Sequence, residues 1–91
     1  MADEKYKELF NLIVGKIDAA PSLETLKEIL TEQTANIRDE GAKGFFHKAV
    51  KKASELNATE NDKFEILNLI ANTAKSDVLK EKCDTALELN Q

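Results

Sequence analysis

An all-α fold, a compact antiparallel bundle of four to five helices, is what this chain predicts, and three observations predict it. Apolar residues recur at three- and four-residue spacings along most of its length, the period of a helix with one buried face. Only three glycines and one proline occur in 91 residues, too few for the hairpins of a β-sandwich or barrel. The breaks between periodic stretches are short, which favours antiparallel neighbours. One domain, residues 1–91, is the expected organisation, with no internal repeat and no linker.

The first helix is expected over 3–19. Tyr6, Leu9, Phe10, Ile13, Ile17 and Ala20 fall on one stripe, and Leu12 and Val14 widen it toward a second neighbour. Asp3 and Glu4 occupy the first turn, where the helix dipole favours negative charge. Gly15 interrupts the pattern and suggests a close helix crossing. Pro21 then breaks the chain, and Ser22 can cap a second helix over about 23–38 with Leu23, Leu26, Ile29, Leu30 and Ile37 inward. The pattern thins at Gln33, Thr34 and Asn36, which reads as a solvent-facing end or a polar contact surface.

Gly41 and Gly44 mark a second break, with Asp39 or Glu40 as a helper cap. A third helix follows over about 42–57, carrying Phe45, Phe46, Ala49, Val50, Ala53 and Leu56. Thr59-Glu60-Asn61-Asp62 has the form of a capping box and opens a fourth helix over about 60–75. Ser76 and Asp77 cap a shorter fifth helix bearing Val78, Leu79, Cys83, Ala86 and Leu87, and the last residues, Leu89 to Gln91, are expected to fray.

Charge and composition narrow the function classes. The net charge is −4. Residues 1–40 hold nine acids and five bases, 41–58 one acid and four bases, and 59–91 seven acids and four bases. An acidic chain with one small basic island does not suit general nucleic-acid binding. A single cysteine excludes an intrachain disulfide and fits a reducing compartment. There is neither an apolar run long enough to span a membrane nor a signal-peptide pattern at Met1-Ala2-Asp3-Glu4-Lys5, so a cytoplasmic location is expected.

The basic island is the candidate functional stretch. Adjacent residues on a helix point about 100° apart, so Phe45 and Phe46 are both buried only if their helix meets two neighbours. With one ring partly exposed beside the lysines, the stretch becomes an aromatic and basic contact patch made of Phe46, His47, Lys48, Lys51 and Lys52. Such a patch fits an acidic protein groove or a membrane surface better than bare DNA. His47 with Lys51 one turn on also resembles a histidine phosphotransfer site, in which imidazole accepts the phosphoryl group and cations steady it. That family carries lysine and then glycine where this chain has Val50 and Lys51.

Glu24, Glu28 and Glu32 lie four apart and form an acidic ridge, a second possible contact face for a basic partner. Cys83 stands in an apolar-periodic position with no second cysteine and no nearby histidine, the pattern of a small core residue. No phosphate loop, nucleophile elbow, zinc signature or EF-hand loop is present, so no catalytic residue, metal ligand or cofactor is assigned.

Thr59-Glu60-Asn61-Asp62 with Phe64-Glu65-Ile66-Leu67, preceded by a basic apolar helix and by Tyr6-Lys7-Glu8-Leu9-Phe10 near the start, resembles the immunity proteins of pediocin-like bacteriocins. That resemblance implies a small cytosolic helical bundle acting by contact with a partner. The family tends to be basic, whereas this chain is acidic.

The expected function is therefore that of a small non-enzymatic bundle that binds a protein partner, of immunity or inhibitor type, through the basic-aromatic third helix. Two alternatives stand beside it. One is a helical oligomer that sequesters a small ligand or nucleotide, since a chain this short gains stability by burying a spare stripe against a copy of itself. The other is a phosphotransfer-like signalling module using His47.

Overall fold

A computed structural model describes residues 2–89 as five α-helices and one 3-10 turn. These are α1 (Ala2–Ala19), α2 (Leu23–Gln33), the turn Thr34–Asn36, α3 (Asp39–Glu55), α4 (Glu60–Thr73) and α5 (Asp77–Leu89). The molecule measures 41 × 28 × 17 Å along its principal axes, the shortest being what two helix layers require. An all-α bundle is what the periodicity called for. The expected fraying falls partly on Asn90 and Gln91, which lie outside the described residues.

The helix starts follow their caps. Ser22 accepts from the Thr25 N–H at 3.3 Å and opens α2. Thr59 and Asp62 form a full capping box on α4: Thr59 Oγ1 accepts from the Asp62 N–H at 3.1 Å, and the Asp62 carboxylate accepts from the Thr59 N–H at 3.2 Å. At the end of α3, Asn57 adopts φ 61°, the left-handed geometry that asparagine tolerates after a helix. The Ala58 N–H then reaches the Ala53 carbonyl at 3.1 Å, which turns the chain sharply toward α4.

Two boundaries depart from the expected ones. The second helix ends at Gln33 and tightens into the 3-10 turn rather than running to 38. Thr34 in that turn is fully buried, its hydroxyl donating to the Leu30 carbonyl, while Gln33 is half-buried and Asn36 exposed, so of that polar run only the threonine turns inward. The third helix begins at Asp39, three residues earlier than expected, and takes Gly41 and Gly44 into its first turns.

The reason is a close approach. A Cβ on Gly41 would run into the Tyr6 hydroxyl and meet the Phe10 ring at 2.8 Å, so α3 runs against α1 where no larger side chain fits. Gly15 does the opposite of what was expected. It is exposed with open space where a Cβ would sit, and it mediates no crossing.

The core is continuous. Ile13 and Ile17 of α1, Leu26 and Leu30 of α2, Phe45, Ala49 and Ala53 of α3, Ile66 and Ile70 of α4, and Leu79 and Cys83 of α5 form one buried cluster. Leu9 and Leu12 lie outside it. Leu12 is 57% exposed, so α1 offers a single buried stripe and not the widened one. The helices do not pack in simple chain order. α5 packs most extensively, against α4 and α3; α3 also lies on α1, and α2 on α4. The consecutive pair α3 and α4 share the smallest interface between α-helices. Among the described residues α2 and α5 do not touch.

Candidate partner-binding surface

α3 presents three faces, and the five candidate residues divide among them. Ala42, Phe45, Ala49 and Ala53 point into the core. Lys48 and Lys52, one turn apart, fold back onto the last turn of α1. Lys48 Nζ sits 3.2 Å from Asp18 Oδ1, and Lys52 Nζ donates to the Asp18 backbone carbonyl at 2.8 Å. That carbonyl belongs to the end of α1, where carbonyls lack intrahelical partners and the dipole favours a cation. Lys52 therefore caps a helix within the molecule, and Lys48 pairs with the Asp18 side chain beside it. Their half-burial agrees with those roles.

Phe46 and His47 face the other way, toward α5. Phe45 is fully buried and Phe46 half-buried, so the adjacent rings meet two different neighbours. Lys43, His47 and Lys51 stand one turn apart along α3, all exposed, and none makes a side-chain hydrogen bond or ion pair among the described residues. The solvent-facing basic strip is thus Lys43, His47 and Lys51. Of the patch expected from the sequence, His47 and Lys51 lie on this strip together with Lys43, and Lys48 and Lys52 do not.

Beside this strip runs an open groove between α3 and α5. Its α3 wall is Lys43, Gly44, Phe46 and His47, and its α5 wall is Val78, Glu81, Lys82, Thr85, Ala86 and Leu89. Among the described residues, two of the four exposed large apolar ones, Val78 at 38% and Leu89 at 81%, lie here. The α5 contribution was missed. A signal for it existed: Val78, Lys82, Thr85 and Leu89 recur at helical spacing, and Val78 cannot face the core along with its neighbour Leu79.

The acidic ridge is elsewhere. Glu24, Glu28 and Glu32 are exposed on α2, the helix that does not touch α5. On the flank of α2, Lys27 Nζ lies 2.7 Å from Glu65 and 3.6 Å from Asp62, joining α2 to α4. The hydrogen bond to Glu65 is the main cause that raises the Lys27 pKa above its ordinary value. Backbone donation from Thr59 is the main cause that holds Asp62 below the usual carboxylate range. Both serve the fold.

Cys83 is fully buried, and desolvation pushes its thiol up to about 12, so it stays protonated and unreactive. Among the described residues no group of three or more His, Cys, Asp or Glu side chains is placed to hold a metal ion, and no helix is long and apolar enough to cross a membrane.

Comparison with protein-family models, with curated proteins and with solved structures finds no match to this chain.

Proposed function

We propose that this protein acts without catalysis, by binding another protein, and that its contact surface is the α3–α5 groove with the basic strip beside it. The observation that carries this reading is the exposure of Val78 and Leu89 next to Phe46 in a groove whose polar lining is Lys43, His47, Glu81, Lys82 and Thr85, with Lys51 one turn further along α3. Apolar side chains left open in a concave strip, rimmed by charges mainly of one sign, are the usual makings of a docking site. The partner surface it fits is an apolar ridge with acidic flanks.

The immunity or inhibitor type remains part of the proposal. It is supported by the capping box at Thr59 and Asp62 opening a helix behind a basic apolar one, as in the pediocin-like immunity proteins. Such proteins work by occupying a partner, which needs a surface and no reacting group.

The test is capture by a tagged bait. Val78→Glu with Leu89→Glu should abolish recovery of the partner that the unaltered protein retains, with the circular dichroism spectrum unchanged. Glu24→Lys with Glu28→Lys should leave recovery intact. Retention in the first pair and loss in the second would move the contact face to the acidic ridge.

A further inference from the structure

A second recess shares the Phe46 ring and Ala86 with the groove. It is an apolar pocket of about 200 Å³ between α3, α4 and α5. Phe46 and Val50 line it from α3, and Phe64 and Leu67 from α4. It exists because α3 and α4 each pack on α5 more than on one another, and because the α5 residue between them is only Ala86. Its charged lining residues are one acid and one base, Glu60 and Lys63, three positions apart on the first turn of α4.

We infer that this pocket binds a neutral single-ring aromatic molecule carrying one polar substituent, of the phenol class. Size sets the ring count: an apolar cavity of ~150 Å³ accommodates benzene, so this one has room for a ring and a substituent but not for two fused systems with side chains. The lining limits the polarity, since seven of its nine residues are apolar and a multiply polar ligand would leave groups there unpaired. Phe46 and Phe64 favour an aromatic guest over an aliphatic one through edge and offset contacts. Glu60 and Lys63 bring one negative and one positive charge to the lining, so a carboxylate or an ammonium meets a like charge as well as an opposite one, and a neutral hydroxyl is favoured. This inference is independent of the protein-binding reading, because the pocket and the groove are separate spaces that share the Phe46 ring and Ala86.

The test is titration of the isotopically labelled full chain with phenol, benzoate, benzylamine and cyclohexanol, followed by amide chemical shifts and thermal melting. Phenol should shift amides of Phe46, Val50, Phe64 and Leu67 with an apparent Kd on the order of millimolar, as expected for so few atoms, and raise the melting temperature. The other three should bind at least about tenfold more weakly. Val50→Phe and, from the opposite wall, Ala86→Leu should each fill the pocket and erase the shifts. If neither variant folds, the wild-type shift map decides alone. No shift with phenol, shifts located outside α3, α4 and α5, equal binding of the charged analogues, or persistence of binding in a folded filler variant would each overturn the proposal.

Discussion

The Ser76 hydroxyl donates to the Asp39 carboxylate while accepting from the Leu79 N–H at 3.2 Å, so one side chain caps α5 and ties it to the first turn of α3. The carboxylate thus sits at the amino ends of two helices, where both dipoles favour negative charge. α3 and α5 are the walls of the proposed docking groove, and this bond fixes one end of it. Ser76→Ala should cost about 1–2 kcal/mol in urea unfolding, combining loss of a cap with loss of a charge-assisted hydrogen bond. A double-mutant cycle with Asp39→Ala should show coupling on the order of 1 kcal/mol. Additive effects would remove the tie between the helices.

Two glycines in helices should respond in opposite directions. Gly41→Ala forces a methyl against the Tyr6 hydroxyl and the Phe10 ring, and it should destabilise by about 1–3 kcal/mol. Gly15→Ala meets nothing and gains helix propensity, so it should stabilise by about 0.5–1 kcal/mol. Thermal melting of the two variants side by side checks both signs.

The lysines of α3 should separate by role. Lys52→Glu loses the bond to the Asp18 carbonyl and places a negative charge at the end of α1, for a cost of about 0.5–1 kcal/mol. Lys51→Glu, exposed and without a partner, should stay within about 0.5 kcal/mol of the parent. Equal costs in denaturant unfolding would contradict the division of the basic stretch into a structural and a solvent-facing half.

The helix count, the capping box at Thr59, the caps at Ser22 and Ser76 and most core positions were legible in the sequence, because they depend on local period and on side chains within three residues of a helix start. What was not legible depends on which helix meets which. Gly41 looks like part of a break until α1 is seen lying against it, and then a small residue becomes a packing requirement, whereas a Cβ on Gly44 would make only ordinary contact with Phe10. Lys48 and Lys52 look free until the end of α1 arrives beside them. The groove needed α5 to pack on α3 rather than on a sequential neighbour alone, which no residue of either helix states by itself.

Cys83 supplies a pH signature. Its thiol, pushed up to about 12 by burial, ionises near its ordinary value of 9.0 once the chain unfolds. The folded pKa is raised, so the contribution to stability is full below pH 9 and is lost as pH rises toward about 12. The difference in stability between the parent and Cys83→Ala should therefore shrink across that window, as followed by urea unfolding at stepped pH. At pH 8 the native thiol should resist a disulfide reagent until denaturant is added. Rapid native labelling would mean that Cys83 is not shielded.

The central claim, that a protein partner is held in the α3–α5 groove, is tested most directly by photo-cross-linking from single positions in the native host. A photoreactive side chain at Thr85, on the groove wall, should give one discrete cross-linked product that disappears when Val78→Glu and Leu89→Glu are added. The same group at Glu28, on the acidic ridge, should give none. A discrete product from position 28 with none from position 85 would contradict the claim.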